Sequence, residues 1–151
     1  DQKLVATAST DGIAKLWSQN GKLLQTVVAH PGWIRQITFS PNGKTFATAG
    51  PDGSAKLWSL DGKRVQTFLG DDKNINGVAF SPDGKIVATA GEDTAVKLWD
   101  LEGRVIQILV GHQQGVQRVK FSPDGQTIAT ASKDQTVILW NRKGKILHTL
   151  K

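Results

Sequence analysis

Leu16-Trp17, Leu57-Trp58, Leu98-Trp99 and Leu139-Trp140 are one dipeptide written four times, and each tryptophan follows the last by 41 residues. A fixed period between about 20 and 50 residues marks a repeat architecture, in which each unit buries its apolar surface against its neighbours. The spacing has no insertion or deletion. The chain is therefore read as four copies of one supersecondary unit.

Working outward from the dipeptide, each full unit holds four short stretches rich in β-branched and aromatic residues. In the second unit they run over 33–39, 44–49, 54–58 and 64–69. Gly, Pro, Asn and Asp bound them, as they bound strands. No helical periodicity is sustained along the chain. Ser40-Pro41-Asn42-Gly43 recurs as Ser81-Pro82-Asp83-Gly84 and Ser122-Pro123-Asp124-Gly125. This order suits a type I turn, because proline presets φ at its second position. The next hairpin carries Asp11, Asp52, Asp93 or Asp134, and the third ends in Gly21, Gly62, Gly103 or Gly144. Glycine there fits a left-handed residue in a short hairpin loop. Consecutive antiparallel strands, a meander, are expected.

Composition narrows the function classes. The 151-residue chain has no cysteine, so disulfides and thiolate metal sites are excluded, while its compartment stays open. No apolar run reaches the roughly 18 residues of a membrane-spanning helix. The net charge of +6 raises the question of nucleic acid, but ten of the nineteen Lys and Arg residues fall in repeat columns such as Lys15/Lys56/Lys97. Charge stamped once per unit is spread around an assembly, not gathered on one face, and is read as solvated surface. Neither a nucleic-acid nor a membrane partner is expected. The phosphate-loop, nucleophile-elbow and H-E-x-x-H patterns are all missing, and the three histidines lie in different blades or loops. No cofactor and no metal are expected.

The strand ending in Leu-Trp, the preceding turn aspartate, the Phe-Ser-Pro-Asp-Gly turn and Gly111-His112 before Trp140 together resemble the WD-repeat family of β-propellers. The resemblance covers essentially the whole chain, although a literal Trp-Asp pair occurs only at Trp99-Asp100. It implies an all-β fold of four-stranded blades around a channel, with strands labelled a to d from the channel outward. On that map the chain reads b-c-d and then a-b-c-d three times. The blades fall at 1–29, 30–70, 71–111 and 112–151, the first lacking its innermost strand. Neither terminal blade has a polar cap, so two apolar sheet faces should be exposed. Two completions are expected: a homodimer closing one ring of about eight blades, or further blades of a longer chain.

The resemblance also implies a structural hydrogen-bonded network in each blade. It comprises His30, Thr48, Asp52 and Trp58 in the second blade and His112, Thr130, Asp134 and Trp140 in the fourth. In the third, Thr89, Asp93 and Trp99 remain, but Asp71 stands at the histidine position, and a looser loop is expected there. Ser/Thr, His and Asp repeated once per blade are not a catalytic triad, which needs one activated nucleophile and an oxyanion hole. No catalytic residue and no enzyme activity are expected. Function is sought where the repeats disagree. The candidates for partner binding are Trp33, Arg35, Pro51, Asn74, Asn76, Glu92, Gln117, Arg118 and Lys133, with Trp33 and Arg35 the favoured anchors because Trp and Arg dominate binding hot spots. The expected function is a non-catalytic protein-interaction scaffold. The alternative is a purely structural repeat module, amplified recently or engineered, with no dedicated ligand.

Overall fold

The computed structural model describes residues 4–70 and 73–151. They form fifteen strands and, among the described residues, no helix. A three-stranded sheet comes first, from β1 (Leu4–Ala8), β2 (Ile13–Ser18) and β3 (Leu23–Val28). Three four-stranded sheets follow. They are β4 (Gln36–Phe39) to β7 (Arg64–Leu69) through β5 (Thr45–Ala49) and β6 (Ser54–Ser59); β8 (Ile75–Phe80) to β11 (Val105–Leu109) through β9 (Val87–Gly91) and β10 (Val96–Trp99); and β12 (Val116–Phe121) to β15 (Ile146–Leu150) through β13 (Thr127–Ser132) and β14 (Val137–Asn141). Every pairing is antiparallel and between consecutive strands. These are the blades of a propeller, in an arc that is not closed. β8 lies against both β4 and β12, so the first strands of successive blades converge on one axis.

The turns follow from their residues. The Gly43, Gly84 and Gly125 amides donate to the carbonyls of Ser40, Ser81 and Ser122 at 2.9, 2.8 and 2.9 Å. Asn42, Asp83 and Asp124 accept from the amides two residues on, at 2.9, 3.1 and 3.0 Å. The glycines that close the c–d hairpins are left-handed, with φ from 79° at Gly21 to 86° at Gly103.

Three cores lie between blades. The one between blades three and four joins Ala88, Ala90, Leu98 and Leu109 to Val116, Val119, Ile128 and Trp140. Its predecessor joins Ala47, Ala49, Leu57 and Phe68 to Ile75, Val78, Val87 and Trp99, and the first joins Ala14, Leu16 and Val27 to Phe46 and Trp58. Each blade thus presents Ala-x-Ala of strand b and the leucine of Leu-Trp to the next blade. It presents the tryptophan to the previous one. Adjacent residues of a strand point to opposite faces, so one dipeptide serves two cores.

Two details differ from the sequence reading. Strand a of the second blade begins at Gln36 rather than Trp33. Lys56 and Lys97 are tied down rather than free on the surface: Lys56 Nζ donates to the Ala29 carbonyl at 2.7 Å and to Asp52 Oδ2 at 2.8 Å, and Lys97 Nζ donates to the Gly70 carbonyl and to Asp93 Oδ2 at 2.7 Å. Each ties its b–c turn to the incoming loop. The Asp52 and Asp93 carboxylates are only partly shielded from solvent, and the periodic lysine gives each a counter-charge.

Candidate functional site

The four sets around the tryptophans differ in completeness. In the second blade Trp58 Nε1–H donates to Thr48 Oγ1 at 2.9 Å. Thr48 meets His30 Nε2 at 2.9 Å, and His30 Nδ1 meets Asp52 Oδ1 at 2.9 Å. Indole only donates and carboxylate only accepts, so the two ends fix the direction. The threonine hydroxyl donates to Nε2, and Nδ1–H donates to the aspartate. Burial lowers the His30 pKa against the pull of Asp52, which keeps the imidazole neutral. Burial alone would raise the Asp52 carboxyl, but hydrogen bonds from Lys56, Ser54 and His30 outweigh it and hold it at about 2.

The fourth blade repeats the chain through Trp140, Thr130, His112 and Asp134, at 2.8, 2.7 and 2.9 Å. Ile138 replaces the lysine there, and the Thr136 hydroxyl and the Gln113 amide bind Asp134 instead, at 2.6 and 2.9 Å. In the third blade Trp99 donates to Thr89 at 2.9 Å. The loop expected around Asp71 lies outside the described residues. In the first blade Trp17 donates to Thr7 at 2.9 Å, but both are partly open to solvent. The four sets read as ties within blades.

The partner-binding candidates gather elsewhere. Arg35, Pro51, Asn74, Asn76, Glu92, Gln117 and Lys133 line one open basin of about 730 Å³, together with Lys73. They come from the starts of the a strands and from the b–c turns. The a–b register explains why. Ile75 pairs with Gly91 but Gly77 with Ala90, and Val116 with Ser132 but Arg118 with Ala131. Asn76 and Gln117 are the extra residues of two β-bulges, and a bulge re-aims a side chain. Arg35 occupies the same column, beside the start of β4, with its amide on the Ala49 carbonyl at 2.8 Å.

Glu92 is the basin's centre. Lys133 Nζ contacts both of its oxygens at 2.9 and 3.0 Å, and Asn76 and Gln117 donate to Oε1 at 2.9 and 3.4 Å. Lys133 first and Asn76 second hold the carboxyl below its usual range. Asn76 also donates to the Val116 carbonyl at 3.1 Å, so this nearly buried amide spans two blades. Close approach of those blades needs Gly77, whose absent Cβ would sit 3.3 Å from the Gln117 carbonyl oxygen and 3.4 Å from the Arg118 Cα. Trp33 and Arg118 do not line the basin. Trp33 is 55% exposed beside it, with the Arg35 guanidinium 5.1 Å from its ring centroid, and Arg118 donates to the Gln117 carbonyl at 2.9 Å. Lys73 was not among the candidates. Its column reads Gly32, Lys73, Gln114, and the same rule of disagreement between repeats would have found it.

Among the described residues no group of acidic or imidazole side chains could hold a metal ion. The arrangement can do what a fixed polar surface does: offer amide donors, a carboxylate and cations at set positions, beside one stacked aromatic.

The WD domain, G-beta repeat family matches the chain three times, at residues 21–59, 62–100 and 103–141. The chain belongs to the WD-repeat family of β-propeller proteins. Each matched unit runs from strand d of one blade through strands a, b and c of the next. Among curated proteins, the nuclear distribution protein PAC1 of Tuber melanosporum is 48% identical and nuclear distribution protein nudF 2 of Talaromyces marneffei is 40% identical, each over 42 residues. The matched stretch is 28% of this chain and 9% of either relative, about one repeat. WD repeats imply a protein-interaction scaffold, and members of the family are in general not catalysts.

Proposed function

We propose that this chain is a rigid interaction platform whose basin receives a peptide or a protein loop. The observation that carries the reading is the convergence of variable residues. Two β-bulges and three b–c turns aim five blade-specific side chains into one basin, where Arg35, Lys73 and Asn74 join them, while the framework around them stays nearly fixed. Drift at unconstrained surface positions would not need bulges that orient donors onto one carboxylate. Trp33 stacked on Arg35 at the rim offers a large contact area at little entropic cost. The same reading makes the four blades, at 1–29, 30–70, 71–111 and 112–151, an arc of a closed ring. Either a second copy, in a ring of about eight blades, or further blades of a longer chain would complete it.

Selecting peptides from a random displayed library on the immobilised chain tests the platform. The best binder is then followed by amide chemical-shift perturbation. Shifts concentrated at Asn74, Asn76, Gln117 and Lys133 are expected. No selectable binder, or shifts confined to the outer strands, would favour a purely structural repeat module.

A further inference from the structure

We infer that the basin's partner is an acidic peptide, one of whose carboxylates seats on Arg35 beside Pro51. The inference rests on the platform reading and names the chemistry its occupant brings.

The basin already holds one carboxylate of its own, and the way it is held sets the pattern. Glu92 extends from the b–c turn of the third blade. It accepts from Asn76, at the strand-a bulge of the same blade, and from Lys133, on the b–c turn of the next. One period of 41 residues earlier, the same columns read Pro51 for Glu92 and Arg35 for Asn76. The donor there has become a charged one with five N–H groups, and the acceptor is gone. Among the described residues the Arg35 guanidinium makes no hydrogen bond and no ion pair. What it does meet is the Trp33 ring, 5.1 Å from the centroid.

Proline also shapes the entry to that blade. The Glu92 amide donates to the Asn74 carbonyl at 3.1 Å, and the Lys133 amide to that of Gly115 at 3.0 Å. Pro51 has no N–H to offer Trp33, which holds that column in the second blade. The Ile34 amide turns instead to the Ser9 carbonyl of the first blade at 3.1 Å, and β4 starts only at Gln36. Trp33 is thereby released from the ladder and lies under the guanidinium, more than half exposed. A guanidinium over an aromatic face keeps its in-plane N–H groups for an acceptor.

The charge around this place favours an anion. Lys73 adds a second cation to the lining. Glu92 is the one carboxylate among the described lining residues, and Lys133 meets both of its oxygens. A carboxylate fits because its two oxygens match the guanidinium fork. It is also the group that the next copy of the arrangement holds.

Peptides selected from a random displayed library on the full chain read the outcome. Asp and Glu should be enriched over the unselected library. Binding of the best peptide, made synthetically, should weaken as salt is raised. Arg35→Gln should weaken it at least about tenfold. Pro51→Glu should do the same, by placing the chain's own carboxylate on Arg35, whereas Pro51→Gln should bind like the unaltered chain. Circular dichroism checks the fold of each variant. The Arg35 Nε–H resonance of the unaltered chain gives a reading that needs no variant, and it should shift when the peptide is added. Amidating the peptide's C-terminus, or changing its Glu and Asp to Gln and Asn, tells which carboxylate is seated: the change that abolishes binding marks it. Selected peptides without acidic enrichment, an unmoved Arg35 resonance, or a Pro51→Gln variant as weak as Pro51→Glu overturn the acidic partner and leave the platform standing. A library that yields no binder overturns both.

Discussion

The threonine before each turn aspartate shows how position in the ring sets the energy of one hydrogen bond. Thr130 accepts from Trp140 and donates to His112 where water is excluded, whereas Thr7 accepts from Trp17 at an exposed site. Thr130→Val leaves two buried groups unpartnered and should cost about 1–3 kcal/mol, while water replaces most of what Thr7→Val removes. Urea unfolding of the two variants checks the difference; equal losses would contradict it. The same network predicts a pH dependence. Asp52 is held at about 2 when folded, against about 3.9 unfolded, so its contribution is complete above about pH 4 and is lost as pH falls toward 2. His30, lowered by burial, acts in the same direction: stability begins to fall below about 6.5, the unfolded value, and goes on falling through the lower folded one. The urea midpoint should therefore drop on acidification in two stages. Asp52→Asn should flatten the lower one.

Among the elements, the bulges decide most. One sits at each Leu-Trp, where the register slips between strands c and d and leaves Leu24, Val65, Ile106 and Leu147 as extra residues. Such bulges twist an outer strand away from edge-to-edge pairing. The b–c turns hold a second irregularity. Gly12 and Gly53 are left-handed there, and the same column continues as Thr94 at φ 70° and Gln135 at φ 67°. A β-branched residue in that region is strained. Thr94→Gly relieves roughly 1–2 kcal/mol of backbone strain against a smaller entropic loss. A net gain of about 0.5–1 kcal/mol is expected by thermal or urea unfolding, and a loss would show that Thr94 is held by contacts worth more than its strain. Strand number, strand order and the left-handed c–d glycines were legible in the sequence, because each recurs at 41 residues with a turn residue that has its own mechanism. The bulges were not. They depend on which residue faces which across two strands, and Asn76 looks like any polar residue until Gly77 is seen opposite Ala90. The bond from Gln25 to the Asp61 carbonyl was hidden for the same reason, since it joins residues 36 apart that no local pattern links.

For the whole molecule, the arc brings blade-specific side chains to one basin near its axis, and only a stack of blades in register can do so. Blades two and four each contribute one position at strand a and one from the b–c turn, and blade three adds Lys73 and Asn74 to that pair, so the basin is written by the columns in which the repeats disagree. Lys73 shows that the column, rather than the residue type, carried the information. Glu92 and Lys133 are 41 residues apart in the chain and paired in space, one repeat measured across the joint between blades. The most direct test of the platform is the affinity of a library-selected peptide, measured by calorimetry against the unaltered chain and against the Arg35→Ala/Lys133→Ala double variant. Hot-spot side chains at an interface contribute about 1–2 kcal/mol or more each. A loss of at least about tenfold in affinity, with the melting temperature unchanged, is the predicted result. Equal affinity for both proteins would contradict the assignment of the basin as the partner site.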